Sequence, residues 1–356
     1  MATGVAGSTR RLAARRLPAS NLGGVSPTSK RTVAPRIAEL ADAEQFPLAA
    51  VNADRPPWPG QELAVGSARI FERSTPSDNP DAQPALYVHG LGGASTNFAD
   101  LADLLSPYLA GRAIDLPGFG RSGPAPDRDY SIAAHMRLVI RYLEQTGRGP
   151  VHLVGNSMGG AISIQVAAGR PDLVRSLTLV SPAVPDIRPH KRSDLILPVL
   201  LVPGLGKRAM ASLDTSPPER RAKALIELCF AHPELVPANR LAEATEEVAY
   251  RRGLDWASEA LLRSFRGLAR NYTTYGRRSP WRVMATIEAP TAVLWGDRDQ
   301  LVDVSNAAKV AARIPDATLL VLPDVGHTAQ LEDPVSTARI VLGLLVRSGQ
   351  LQPARA

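Results

Sequence analysis

A chain of 356 residues, 44% of them hydrophobic, can bury a sizeable core, but every run of 18 residues is broken by charged or polar groups, so no segment reads as a membrane-spanning helix. A single cysteine, Cys229, rules out an intramolecular disulfide and a cysteine-based metal site, and the six histidines lack ligand-like spacing. The net charge of +7 sits in residues 1–36, which hold Arg10, Arg11, Arg15, Arg16, Lys30, Arg31 and Arg36 and no acid; elsewhere 34 basic and 34 acidic residues cancel, leaving no bias toward nucleic acid.

Residues 1–55 are rich in Ala, Arg, Ser, Pro and Gly and show little apolar periodicity. They are expected to form a mostly disordered basic arm. The arm lacks the apolar stretch of a secretory signal, although its Arg- and Ser-rich, acid-poor composition is shared with transit peptides. Three readings stand: a solvated arm or an over-extended gene start, a weak contact with an anionic surface, and a targeting segment. Arg outnumbers Lys 36 to 5, the bias of a high-GC bacterial coding sequence, which favours the first. The expectation is a cytoplasmic bacterial protein, touching a membrane only peripherally.

The globular part begins near Trp58. Residues 61–65 and 68–73 read as paired strands, and 85–88 as a buried strand that ends at His89-Gly90-Leu91-Gly92-Gly93. A helix is expected over 98–109, with Leu101, Leu104 and Leu105 on one side. Ala113-Ile114 reads as a short strand leading into Asp115-Leu116-Pro117-Gly118-Phe119-Gly120-Arg121-Ser122. Residues 131–145 form an amphipathic helix pattern. A strand over 151–154, a helix from Gly160 and a strand over 177–180 follow. This alternation predicts an α/β fold: a mostly parallel central sheet flanked by helices.

From Pro182 to about Ala289 the alternation stops and only helix signals remain. Ser216-Pro217-Pro218-Glu219 matches a capping box, residues 239–251 a polar helix, and 256–269 a helix with Leu261, Leu262, Phe265 and Leu268 on one face. The expected division is a core of 56–182 and 290–350 with an all-helical cap of 183–289. Strands return at 291–295 and 317–322, and 333–347 closes the chain as a helix.

One pentapeptide stands out, Gly155-Asn156-Ser157-Met158-Gly159, placed between a strand and a helix. A G-x-S-x-G match carries weight in that context. The turn is so sharp that the flanking residues must lack a Cβ, and it lifts the Ser157 hydroxyl off the strand end. A serine needs a base to become a useful nucleophile, and the base needs an acid to hold its tautomer. Downstream of the insertion, Trp295-Gly296-Asp297-Arg298-Asp299 and Asp324-Val325-Gly326-His327-Thr328 each follow a strand. The chain order Ser157, Asp299, His327 is the one this fold type uses, with Asp297 as the competing acid. Among the other histidines, His152 lies inside the serine's strand, His135 on an expected surface helix, His190 and His232 in the insertion, and His89 at a strand end where a structural hydrogen bond is expected. Asp115, Arg121 and Ser122 read as a loop brace, and Cys229 as a core residue.

These five motifs resemble those of the α/β-hydrolase superfamily, in the group with a helical cap, from about Pro84 to Val346. The resemblance rests on His89–Gly93, Asp115–Ser122, Gly155–Gly160, Gly296–Asp299, and Gly326-His327 with Glu332-Asp333-Pro334. It implies Ser157 as nucleophile, His327 as general base and Asp299 as orienting acid, with the backbone N–H groups of Leu91 and Met158 as oxyanion hole. It implies no cofactor and no metal. Serine at 157 argues against the epoxide hydrolases and haloalkane dehalogenases of this fold, which attack through a carboxylate. The expected activity is hydrolysis of a small-molecule carboxylic ester with an apolar acyl group; Leu195-Ile196-Leu197 and Val199-Leu200-Leu201-Val202 either line an acyl-binding pocket or hold the cap together, and if they face the site a monoacylglycerol or other lipid ester fits. Two alternatives stand. The string 155–160 resembles the carbon–carbon hydrolases of ring-cleavage products, but Thr328 replaces their usual aromatic and the 91–94 loop lacks their proline. A non-catalytic ligand-binding member of the fold is the other.

Overall fold

The computed structural model describes residues 35–186, 201, 202 and 204–352. Among these residues nine strands form one sheet in the order β1-β9-β8-β7-β6-β4-β5-β3-β2. They are β1 (Arg36–Ile37), β2 (Gly60–Val65), β3 (Ala68–Thr75), β4 (Gln83–Val88), β5 (Leu109–Asp115), β6 (Val151–Asn156), β7 (Val174–Val180), β8 (Thr291–Gly296) and β9 (Ala317–Leu322). β2 and β3 are antiparallel, and β3 runs antiparallel to β5; the other seven strands are mutually parallel.

Every residue of β6 and β8 is buried, as a parallel strand covered on both faces requires. One face carries α2 (Ile132–Thr146) and α3 (Met158–Gly169), whose Val139, Tyr142, Leu143, Ile162 and Val166 pack on the sheet. The other carries α1 (Ala99–Leu105) and the closing helix Pro334–Arg347, through Leu101, Leu104, Ile340 and Leu344. Ser131 caps α2 by accepting from the Ala134 N–H, and Gly147 ends it in the left-handed conformation (φ +61°). Asp333 caps the closing helix in the same way through the Ser336 N–H.

The strand order reverses between β4 and β6. From β4 the chain steps to β5 on one side, then returns to β6 on the other and continues to β7, β8 and β9. The carboxyl ends of β4 and β6 therefore open onto a switch-point crevice, the usual ligand site of such sheets. His89 and Ser157 follow those two ends.

Four local expectations are corrected. The helix expected over 98–109 stops at Leu105, because Pro107 cannot extend it; Leu109, Gly111 and Ala113 point inward at period two and pair with β4 as a strand. The expected arm ends well before residue 55: Arg36 and Ile37 pair with Thr318 and Leu319, and Ala41 and Phe46 are buried against the closing helix's side of the sheet. Ser216 caps nothing; Pro217 occupies the N-cap, and Glu219 pairs with Lys223 at 2.7 Å. His135 is buried, its Nε2 3.5 Å from Ser264 Oγ of an insertion helix.

Between β7 and β8 the described residues hold helices and no strand. The longer ones are α4 (Leu205–Asp214), α5 (Pro218–Cys229), α6 (Ala238–Arg252) and α7 (Ala257–Tyr272). α7 presses on the core at Gly267, where a Cβ would stand 2.9 Å from Ser131 Cα. Leu195–Leu197 and Val199–Leu200, read as acyl-pocket lining or as cap packing, lie outside the described residues; Leu201 and Val202 are exposed.

Candidate active site

Ser157 occupies the turn between β6 and α3 with φ +53° and ψ −117°, a conformation that side chains rarely adopt. Three backbone bonds over-determine it. Its N–H donates to Val180 O at 3.0 Å, and its carbonyl accepts from Ala161 N at 3.0 Å and Ala183 N at 2.9 Å. The flanking glycines leave the room: a Cβ on Gly155 would lie 2.6 Å from Gly159 O, and one on Gly159 only 2.1 Å from Val88 O. The start of α3 thus runs directly against the end of β4.

The β4 end supplies the facing wall. A Cβ on Gly90 would sit 3.1 Å from Ser157 Cβ, so the Gly90-Leu91 turn lies beside the serine. Gly93 N–H closes the turn onto Gly90 O at 3.1 Å, and Gly92 takes a positive φ of +78°. His89 braces it from below. Leu116 N–H donates to Nε2 at 3.0 Å, which leaves the proton on Nδ1 to donate to Gly90 O at 2.7 Å. Burial lowers the His89 pKa, with Asp115 opposing, so the ring is held neutral. Asp115 accepts from Ser95 N and Arg121 N at 2.5 and 2.8 Å, and Ser122 Oγ donates to Asp115 O at 2.6 Å. These groups are the expected structural brace.

His327 follows β9, and its Nδ1 lies 2.8 Å from Asp299 Oδ2. Both side chains are buried (4% and 0% exposed), so solvent does not screen the pair. The other Asp299 oxygen accepts from Leu301 N and Val302 N at 2.8 and 3.0 Å. Asp297 is turned away: it accepts from Asp324 N at 2.8 Å and its side chain is 38% exposed. Cys229 lies near Asp299, where burial, reinforced by Asp299 and Glu332, pushes its thiol up to about 12, so the sulfur stays protonated and unreactive. Among the described residues no group of three or more His, Cys, Asp or Glu is placed to hold a metal ion.

A family model for the alpha/beta hydrolase fold matches residues 84–334. The chain belongs to the α/β-hydrolase family. It is 31% identical over 257 residues to a dihydrolipoyllysine-residue acetyltransferase component of the acetoin cleaving system of Cupriavidus necator, spanning 70% of this chain and 60% of that protein. It is 27% identical over 282 residues to Lipase 3 of a Moraxella species, spanning 78% and 80%. It is 28% identical over 287 residues to a 2-hydroxy-6-oxononadienedioate/2-hydroxy-6-oxononatrienedioate hydrolase of Comamonas testosteroni, spanning 76% and 90%. These three activities differ, so membership of the hydrolase family leaves the substrate to the site.

Three contacts of this hydrolase-family site were not foreseen from sequence. Asn156 Nδ2 donates to both Val180 O and His327 O; its place inside the pentapeptide was the available signal. Arg251 of α6 donates to Gly92 O at 2.8 Å, and nothing distinguishes it in sequence from its neighbours on a polar helix. Glu332 accepts from Gly326 N at 2.6 Å; its place in Glu332-Asp333-Pro334 was the available signal.

Proposed function

We propose that this chain is a serine hydrolase of carboxylic esters, working through an acyl-enzyme on Ser157. The observation that carries the reading is the buried Asp299–His327 pair, 2.8 Å apart, tied by its backbone to the residue beside a strained Ser157. Ionised Asp299 can only accept, so it fixes the His327 proton on Nδ1 and frees Nε2 to act as base. His327 then takes the Ser157 proton as Oγ attacks the ester carbonyl. The Leu91 and Met158 N–H groups face the developing oxyanion. Collapse expels the alcohol with the proton from His327, and a water activated by the same imidazole releases the acid. The side chains and backbone supply nucleophile, base and charge stabilisation, so the reaction requires neither metal nor organic cofactor.

Leu261 of α7 supports an apolar acyl group, because its Cδ1 would lie 3.6 Å from a Cβ on Gly92, beside the proposed oxyanion loop. The similarity to a lipase points the same way. Turnover of p-nitrophenyl esters of rising chain length tests this. Hydrolysis is expected with an optimum beyond acetate, and none in Ser157→Ala. Carbon–carbon cleavage without ester turnover would favour the second reading, for which the 155–160 string and the Comamonas relative speak. Binding of esters with neither activity would make the chain a ligand-binding member of the fold.

A further inference from the structure

Glu332 ends the single helical turn Ala329–Glu332, and its carboxylate gathers three backbone N–H groups from two separate pieces of chain. Oε2 accepts from Gly326 at 2.6 Å, the residue before His327. Oε1 accepts from Ala231 at 2.8 Å and His232 at 2.9 Å, which follow α5 of the insertion after its C-cap Phe230. The His327 N–H itself donates to Cys229 O, the last residue of α5, at 2.7 Å. Two successive N–H groups leading to the imidazole are thus fixed to the insertion, one directly and one through Glu332.

The close approach has a steric basis. A Cβ on Gly326 would lie 2.4 Å from Cys229 O and 2.7 Å from Ala231 N, so only glycine lets the two backbones meet there. Bonds from N–H groups to a carboxylate are about twice as strong as neutral ones. A glutamine in the same place offers one acceptor oxygen and turns an NH2 toward an N–H donor, so it cannot serve both strands.

We propose that Glu332 is a positioning residue for the reaction: it locks the backbone of residues 326–327 against the end of α5 and so sets the His327 ring between Asp299 and Ser157. The proposal rests on the reading of His327 as the base. Glu332 touches no substrate on this account, so it acts on kcat and not on KM.

The test compares wild type, Glu332→Gln and Glu332→Asp, each checked for folding by circular dichroism, in fluorophosphonate labelling rate and in p-nitrophenyl ester kinetics. Misplacing a catalytic group by about 1 Å costs on the order of 10²-fold. The expected result is a kcat and a labelling rate lowered by that order in Glu332→Gln with KM unchanged, and a partial recovery in Glu332→Asp, which keeps the charge on a shorter arm. Unchanged kcat in folded Glu332→Gln overturns the proposal, as does a loss confined to KM. Failure of both variants to fold also overturns it, by assigning the carboxylate to stability. Absence of labelling in the wild type contradicts the serine-hydrolase reading itself, whatever Glu332 does.

Discussion

The side-chain amide of Asn156 donates to the carbonyl oxygen of His327 at 3.2 Å, so the residue next to the serine grips the loop that carries the imidazole. The two loops are 171 positions apart in sequence, yet their relative position is set by a direct bond inside a buried site. A site held this way is pre-organised, and its parts respond unequally to substitution depending on whether they lie inside or outside the hydrogen-bonded set.

The two aspartates after β8 give the sharpest contrast. Asp299 is buried against His327, whereas Asp297 faces solvent and the Asp324 N–H. Asp299→Asn should lower kcat by about 10⁴-fold, because an amide NH2 at Nδ1 favours the wrong tautomer. Asp297→Asn should leave kcat close to wild type. Steady-state ester kinetics on the two variants check the pair, and equal losses would show that the acid is misassigned.

Gly159 and Gly169 stand at opposite ends of α3 and predict opposite signs. A Cβ on Gly159 would meet Val88 O at 2.1 Å and His89 O at 2.6 Å, both rigid backbone atoms. Gly159→Ala should cost about 3 kcal/mol or prevent folding. At Gly169 nothing lies within 4 Å. Gly169→Ala should stabilise by about 0.4–1 kcal/mol through the unfolded chain. Urea denaturation midpoints read both.

Removal of residues 1–33, read from their composition as a solvated basic arm, should leave the melting temperature and the turnover unchanged. Removal of residues 1–47 should lower stability by about 3 kcal/mol, because it strips β1 and the buried Phe46 from the sheet. Thermal melts of the two truncated chains separate these outcomes. A tether to anionic lipid would instead appear as salt-sensitive vesicle binding lost in the shorter truncation.

The legible part of this chain was the part governed by local rules. The elbow glycines announce a Cβ-free turn, strands and helices alternate by period, and Ser157, Asp299 and His327 each follow a strand, so the fold and the geometry of the His327–Asp299 pair could be anticipated. Contacts between distant backbones could not. No periodicity marks Arg36-Ile37, a two-residue strand that exists only because β9 leaves an edge open. His135 reads as surface in isolation, since the α7 residue that covers it, Ser264, lies 129 positions away. Glu332 acts through backbone N–H groups, which every residue has, so nothing in its partners' side chains identifies them.

Buried histidines, His152 and His135 as well as His89, contribute to the acid limb of stability. Burial lowers His152 to about 4 and His135 to about 3, against 6.5 for a free imidazole. Below pH 6.5 the unfolded chain takes up protons at both positions while the folded chain does not. Stability is therefore full above pH 6.5 and falls as the pH drops toward 4 for His152 and 3 for His135, each group contributing a slope of up to about 1.4 kcal/mol per pH unit. His152→Asn, which keeps a polar group toward Ser176 and Gln83, should flatten that slope between pH 6.5 and 4. Urea midpoints across that range provide the check, and an unchanged slope would show that His152 titrates as in solution.

The most direct test of the central claim is fluorophosphonate labelling followed by peptide mapping of the modified residue. The account predicts one adduct, on Ser157, formed by the wild type and abolished in Ser157→Ala and strongly slowed in His327→Ala. A folded wild-type protein that takes no label, or takes it at another residue, would contradict Ser157 as an activated nucleophile.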